Sequence, residues 1–499
     1  MKSFLKKHWV HVSLNYGLDA VVFCAAFFIG AHERLGEAAS NRFGSYILTA
    51  LFGSPQAAAA AATHPGSYWP GILLGALFFP SCLYIFGLYS PQSSKSGVFK
   101  RALVLGGCLL LTTAIMFGLF YVKTSANIGR GVMLRALPLA YLVSLLHHAL
   151  LVRFLRQYRE RVAFVVTCAF DELETKFFES FGRQNLDLIG VVHSDDYQPA
   201  GEMRVLGRAE NLRAIVRREE LERVLCTTRS MNYPALGKTF CELRYSGITV
   251  MPMISLFEEV HQMAPLELVT PEWLVQASAQ PHILYVSKIK RAFDIITSLG
   301  GLVAFLPVLL AGILLVRLTG RGPVFYRQTR CGRFGRRFQV IKLRTMRVDA
   351  EKHGAVWAKA KDSRITWVGR YLRKFRVDEI PQLINVLRGE MSFVGPRPER
   401  PEFIEQLARE IPFFQERLMV QPGITGWAQV NYPYGASSED ARRKLEYDLY
   451  YTKNMSLFLD IFILLDTVRI VLQGGLREKH KREFVDTSFL REPAAEAKA

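Results

Sequence analysis

The sequence predicts a multidomain membrane protein: an N-terminal four-helix transmembrane bundle, a central Rossmann-like α/β domain, and a C-terminal α+β domain with a proline-broken re-entrant membrane helix. Three observations carry this expectation. Of the 499 residues 50% are hydrophobic and the mean hydropathy is +0.13, yet the formal net charge is +19; an ordinary basic soluble protein is less apolar than this. Long apolar stretches crowd the first third and recur once beyond the middle. Between them the pattern changes to short strand and helix signals in alternation. The divisions fall at 1–155, 156–278 and 279–499, with the re-entrant helix over 294–316.

A span needs roughly 20 apolar residues to cross about 30 Å of hydrocarbon. Val12 to Ala31, Trp69 to Tyr89, Ala102 to Val122 and Met133 to Leu151 meet that length. Lys2, Lys6 and Lys7 precede the first, Lys95, Lys100 and Arg101 separate the second from the third, and Arg153, Arg156, Arg159 and Arg161 follow the fourth. The linker around Pro55 to Ala62 is poor in Lys and Arg, so the positive-inside rule puts the N-terminus and everything after Arg153 in the cytoplasm. The first stretch reads as a retained anchor, since no small-residue cleavage pattern follows it. Asp19, inside the first span, offers a pathway for an ion or proton as one reading; the plainer one is preferred, since it lies near one end and no partner acid or base appears in the other spans to make a relay. Seven scattered cysteines with no C-x-x-C pair indicate neither a disulfide framework nor a zinc site.

The middle region resembles a parallel α/β unit. Val162 to Val166 and Leu188 to Val192 read as buried strands, with helices over Glu172 to Phe181 and Glu210 to Arg217. A dinucleotide site needs glycines in its first turn, but Thr167 to Asp171 contains none, so a structural or regulatory module is expected. The fifth apolar stretch, Ile295 to Val316, has basic flanks on both sides and Pro307 in its middle. Proline removes a helical hydrogen bond and kinks the chain. A helix that enters one leaflet and returns keeps both basic flanks in the cytoplasm; a plain kinked fifth span is the alternative.

The last region holds the residues with chemical potential. Pro323 to Arg330 and Arg337 to Thr345 read as a hairpin whose loop, Cys331 to Arg336, offers guanidinium groups and glycines suited to a pyrophosphate, or equally to anionic lipid. Asp378 and Glu379 follow Arg373, Lys374 and Arg376 and precede Pro381, which fits a helix first turn. Two such acids can divide labour, one attacking phosphorus and the other holding a divalent cation. Magnesium suits carboxylate and phosphate oxygens. Taken alone, the pair is better explained as a helix cap with surface ion pairs. Val394 to Pro401 is too proline-rich for a helix and forms a fixed loop carrying Arg397 and Arg400. Met455 to Leu472 reads as an interfacial helix.

In series, Lys290-Arg291-x-x-Asp294, the proline-broken helix, Lys342-x-Arg344-Thr345-Met346, Asp378-Glu379-x-Pro381-Gln382 and Gly395-Pro396-Arg397-Pro398-Glu399 resemble the bacterial sugar transferase family, the polyprenyl-phosphate glycosyl-1-phosphate transferases that initiate exopolysaccharide and O-antigen assembly. The four spans and middle module resemble its large members. The resemblance implies a UDP-sugar donor, a polyprenyl phosphate acceptor, Mg2+, and a bacterial inner-membrane location with the catalytic domain cytoplasmic. It implies that Asp378 is the nucleophile forming a covalent phosphosugar, that Glu379 helps bind magnesium, and that Arg397 contacts substrate phosphate. Lys342, Arg344, Arg376 and Arg400 are expected at phosphate with it. Where family members often have Ser-Pro at the helix break, this chain has Leu306-Pro307. A non-enzymatic membrane scaffold with a lipid-binding basic face is the competing class. Nucleic acid is not expected as a partner, because the arginines alternate with interface-seeking apolar helices. The sugar, a homodimer and the role of the middle module stay open.

Overall fold

The computed structural model describes residues 8–35, 69–86, 88–89, 98–121, 130–157, 160–166, 186–193, 204–226, 234–279, 288–320, 322–347, 350, 364–433, 435 and 437–472. The chain divides into two compact units, Met1–Glu160 with Asn185–Asp187, and Arg161–Gln184 with Leu188–Ala499.

The first unit holds helices α1 (His8–Leu35), α2 (Trp69–Ile85), α3 (Val98–Tyr121) and α4 (Arg130–Gln157). Helix α1 packs on α2 and α4, and α3 packs on the same two. Phe23, Phe27 and Phe79 meet inside, while Val21, Leu77, Leu110, Leu134 and Leu142 point outward. Apolar side chains on both the inner and the outer surface are what a lipid environment permits. Val12–Gly30 of α1 and Val132–Leu150 of α4 are long and apolar enough to cross a membrane; Ile72–Ile85 and Arg101–Met116 are apolar but shorter. Asp19 corrects the sequence reading. It is fully buried and does meet bases, His147 and His148, carried by α4. Those two histidines lie more than 120 positions along the chain, where periodicity gives no sign of the pairing.

Strands β1 (Glu160–Val166), β2 (Leu186–His193), β3 (Val205–Arg208), β4 (Arg223–Cys226) and β5 (Thr249–Pro252), which apart from Glu160, Leu186 and Asp187 belong to the second unit, form a sheet in the order β3-β2-β1-β4-β5. The pairs β1–β4, β2–β3 and β4–β5 are parallel. Helices α5 (Leu212–Arg218) and α6 (Pro234–Tyr245) supply Leu212, Ile215, Leu236 and Phe240 to a core with Val165 and Val224. The helix expected over Glu172 to Phe181 and the turn Thr167 to Asp171 lie outside the described residues.

Helices α7 (Met253–His261) and α8 (Pro271–Ala279) follow β5 but bury Ile254, Leu266 and Trp273 with Ile404, Phe414, Leu445 and Leu449 of the C-terminal region. Trp273 donates its indole N–H to Glu258, 2.9 Å away, and Lys453 donates to the other oxygen of the same carboxylate at 2.7 Å. Residues 253–279 therefore share one core with the site-bearing domain.

That domain begins with α9 (Lys290–Leu318), continuous helix with Pro307 inside and long and apolar enough to cross a membrane. The motif residues at its start act as clamps. Lys290 donates to Asp460 at 2.5 Å, Arg291 donates to the carbonyls of Val386 and Leu387 at 2.6 and 2.7 Å, and Asp294 accepts from Ser392 Oγ and Phe393 N–H at 3.0 and 2.9 Å. Toward its other end Leu309 and Val316 are buried against Leu343, Val368 and Leu372. Strands β6 (Phe325–Cys331) and β7 (Arg337–Leu343) form an antiparallel hairpin. Then come α10 (Trp367–Lys374), α11 (Gln382–Leu387), β8 (Ser392–Val394), α12 (Pro401–Glu410), β9 (Gly423–Thr425), α13 (Trp427–Asn431), α14 (Ser438–Asn454) and α15 (Leu457–Leu472). Strands β8 and β9 pair in parallel. Gly395 and Gly423 are required at their crossing: a Cβ on either would collide with backbone atoms of the other strand's segment.

Candidate active site

The acid pair sits on a single 3-10 turn, Val377–Glu379, between α10 and α11. Arg376, immediately before it, is held at φ 54° and ψ 23°, a left-handed conformation that side chains other than glycine seldom adopt. The turn is fixed from three sides. Asn385 donates to the Gln339 carbonyl at 2.7 Å and accepts the Ile341 N–H at 3.1 Å, which pins α11 to β7. Arg373 donates to Thr345 Oγ1 at 2.8 Å, tying α10 to the end of β7. Val377 and Ile380 pack against the cluster of Leu309, Leu343 and Leu372.

Neither acid caps a helix. Arg376 is the N-cap of the 3-10 turn and Pro381 that of α11, and no side chain caps either. Asp378 and Glu379 are 7% and 8% exposed, which removes the surface-ion-pair explanation as well. Their partners differ sharply. Glu379 Oε1 lies 3.1 Å from Lys342 Nζ and 3.4 Å from an Arg397 nitrogen, and Oε2 lies 3.3 Å from Arg376. Among the described residues no hydrogen bond or ion pair engages the carboxylate of Asp378.

The two carboxyls titrate in opposite directions. Burial alone would raise Glu379, but Lys342, Arg397 and Arg376 overcome it and hold the carboxyl well below its ordinary range. Asp378 is pushed up, first by burial and then by the charge of Glu379, against the pull of Lys342, Arg373 and Arg397. Burial lowers the Lys342 ammonium, with Glu379 opposing. Glu379 is thus held ionised among its cations, and Asp378 is the more basic carboxyl, with no hydrogen-bond or ion-pair partner among the described residues.

Of the residues expected at phosphate, Lys342, Arg376 and Arg397 converge on Glu379. Arg344 donates to the carbonyls of Val316 and Gly320 at 3.4 and 3.0 Å, closing the end of α9, a use that competes with the phosphate contact expected of it. Arg400 is the N-cap residue of α12. Pro307 lies within α9.

The loop carrying Arg397 is braced by residues without a sequence signature. Arg417 donates to the Arg397 carbonyl at 3.1 Å and pairs with buried Asp448 at 2.9 Å, and Gln429 Oε1 accepts from the Arg397 guanidinium at 3.3 Å. Arg330 of β6 donates to the Pro398 carbonyl at 2.9 Å. Neither Arg417 nor Gln429 lies in one of the motifs read from the sequence, and nothing else there marked them.

The donor chemistry of the pair suits magnesium: two carboxylates, that of Asp378 uncommitted among the described residues. Both oxygens of Glu379 already face cations, so a metal fits beside that carboxylate only together with the negative charge of a diphosphate.

A family model described as "Bacterial sugar transferase" matches residues 285–474. A stretch of 186 residues, 37% of this chain, is 47% identical to the UDP-N-acetylgalactosamine-undecaprenyl-phosphate N-acetylgalactosaminephosphotransferase of Aeromonas hydrophila and spans 44% of that protein. Over 185 residues, 37% of this chain, it is 40% identical to the UDP-glucose:undecaprenyl-phosphate glucose-1-phosphate transferase of Caulobacter vibrioides and spans 69% of it. A similarly named Escherichia coli protein is 42% identical over 182 residues, 36% of this chain and 39% of its own length. This chain therefore spans less than half of the Aeromonas and Escherichia relatives it matches.

Proposed function

This chain belongs to the bacterial sugar transferase family, and from that premise we propose that it transfers a sugar-1-phosphate from a UDP-sugar to a polyprenyl phosphate through a covalent intermediate on Asp378. The observation that carries this reading is the asymmetry of the acid pair: Glu379 is engaged by Lys342, Arg376 and Arg397, whereas Asp378 is buried, raised in pKa and unpartnered among the described residues. In the first step a carboxylate oxygen of Asp378 attacks the sugar-linked phosphorus. The bond from that phosphorus to the bridging oxygen breaks, and UMP leaves with the electron pair. An oxygen of polyprenyl phosphate then attacks the same phosphorus, which frees the carboxylate and leaves a polyprenyl diphosphate sugar.

Lys342, Arg376 and Arg397 hold the diphosphate by charge-assisted hydrogen bonds while Glu379 keeps them grouped. Glu379 would hold magnesium, which when bound would supply further neutralisation of the diphosphate.

The membrane arrangement supports a re-entrant reading of α9. Ser298 and Leu309 are both buried, and the eleven-residue rise between them is only about 17 Å of helix, too short to cross a bilayer core of about 30 Å. Both ends of α9 pack on the same domain, with Val303, Phe305, Leu306 and Val308 exposed around Pro307 between them. That arrangement suits an apolar apex dipping into one leaflet of the bacterial inner membrane from the cytoplasmic side, where nucleotide sugars are found.

The test is purified full-length protein in detergent, given radiolabelled UDP-N-acetylgalactosamine or UDP-glucose, the two donors in the relatives' names, with polyprenyl phosphate. The expected result is label in lipid with stoichiometric UMP, and a phosphosugar adduct on the Asp378 peptide by mass spectrometry. UMP release with no adduct, undiminished in Asp378→Asn, overturns the mechanism. No lipid product from any UDP-sugar favours the scaffold reading.

A further inference from the structure

A second polar centre lies inside the helical first unit, and nothing in the transferase reaction uses it. Asp19 of α1 is fully buried; its Oδ2 accepts from Tyr89 OH at 2.7 Å and lies 2.9 Å from His148 Nε2, and its Oδ1 accepts from Ser144 Oγ at 2.9 Å. His147 Nδ1 faces the same Oδ1 at 3.6 Å. Ligand atoms of Asp19, His147 and His148 all lie within 4.8 Å of one another.

The unusual feature is His147. Its Nε2 lies 3.1 Å from Asn15 Oδ1, an atom that only accepts, so the ring proton sits on Nε2. In the neutral ring Nδ1 then carries a lone pair, and it is buried with no hydrogen-bond partner. A lone pair aimed at a carboxylate oxygen in an apolar bundle is two acceptors face to face, which costs free energy unless something positive lies between them. The 3.6 Å gap is too long for a hydrogen bond. It is close to the roughly 3.3–3.5 Å that separates neighbouring ligands around a tetrahedral ion with bonds of about 2.0–2.2 Å. The arrangement behind the ring also matches: a histidine ligand characteristically donates its second ring N–H to an oxygen that fixes its orientation, as Asn15 does here.

We propose that Asp19, His147 and His148 bind one divalent transition-metal ion of the zinc class, the proton that His148 Nε2 donates to Asp19 moving to Nδ1 of the same ring as the ion enters. Two imidazoles and a carboxylate suit zinc or cobalt and disfavour magnesium and calcium, which prefer all-oxygen sites. The ion ties α1 to α4, the two helices of this unit that are long and apolar enough to span a membrane. Tyr89 and Ser144 hold the carboxylate in place from its other lone pairs.

The test uses full-length protein in detergent, stripped with a chelator and titrated with Co2+. The expected result is one cobalt per chain with the intense visible absorption of four-coordinate cobalt, displaced by one equivalent of Zn2+. The signal is lost in Asp19→Asn and His148→Gln and weakened about 10- to 100-fold in affinity by Asn15→Leu. Zinc raises the unfolding midpoint of the wild type and not of His148→Gln. No saturable cobalt spectrum in the wild type overturns the proposal, whether or not any variant folds. So does an unchanged spectrum in both His147→Gln and His148→Gln, or nitrogen NMR showing His147 doubly protonated in protein that takes up no metal, since a proton then fills the gap.

Discussion

Two buried cation–carboxylate centres in the C-terminal domain differ in whether an acid is left over. Around Asp460, which is fully buried, Lys290 approaches one oxygen at 2.5 Å and Tyr451 OH the other at 2.8 Å, so both are matched. Around Glu379 three cations are likewise matched, yet the adjacent Asp378 has no such partner among the described residues. A buried charge with its partners complete holds elements together; a buried carboxylate left over from such a cluster costs stability and is available for reaction. The first centre clamps α9 to α15, and the second is where a diphosphate can be attacked.

The largest effect is expected at the leftover acid. Asp378→Asn should lower phosphosugar transfer by about 10³-fold or more, as removal of a covalent nucleophile does. It should leave the unfolding midpoint unchanged or higher. The sign follows from the raised carboxyl: the folded state binds that proton more tightly than the unfolded chain, so the ionised group opposes folding at neutral pH. A large drop in midpoint would make Asp378 a structural acid and erase the contrast between the two centres.

The matched centre should behave in the opposite way. Lys290→Met or Asp460→Asn alone should cost about 3–5 kcal/mol in denaturant unfolding, because each strands a buried partner. The double replacement Lys290→Met/Asp460→Leu should recover most of that. A single substitution costing under about 1 kcal/mol would show the pair to be hydrated and the clamp immaterial.

Arg397 belongs to the reactive centre by geometry, though its loop is braced from outside it. Arg397→Lys keeps the charge but loses the planar fork that spans Glu379 and Gln429, and kcat/KM should fall about 10²-fold with the fold intact. Full activity in the lysine variant would reduce its part to a point charge.

The contrast between the centres was only half legible in the sequence. Asp378 and Glu379 could be picked out with the cations around them, and Lys342 and Arg397 with them, because each lies in a short motif. Lys290, Arg291 and Asp294 could be noticed as a motif, but their work as clamps depends on partners 95 to 170 positions away. Arg344 lies two residues from Lys342, just past the end of β7, and only the fold shows that it reaches the carbonyl end of α9. The long apolar stretches declared themselves by composition, whereas the meeting of Asp19 with His147 and His148 needed the packing of α1 on α4. Local chemistry is written in neighbouring residues; pairing across a fold is not.

The finest test of the contrast is the pH dependence of the transfer step. Asp378 attacks only when ionised, so the rate should fall tenfold per pH unit on an acid limb displaced above the ordinary aspartate range, since burial and the Glu379 charge raise its pKa. Glu379 cannot produce that limb, being held ionised far below it by Lys342, Arg397 and Arg376. In Glu379→Gln the neighbouring negative charge is gone and the cations remain, so whatever activity survives should show the limb moved to lower pH. A limb that stays in place would mean that burial alone raises Asp378, and one that moves upward would mean that the cations disperse once Glu379 no longer gathers them.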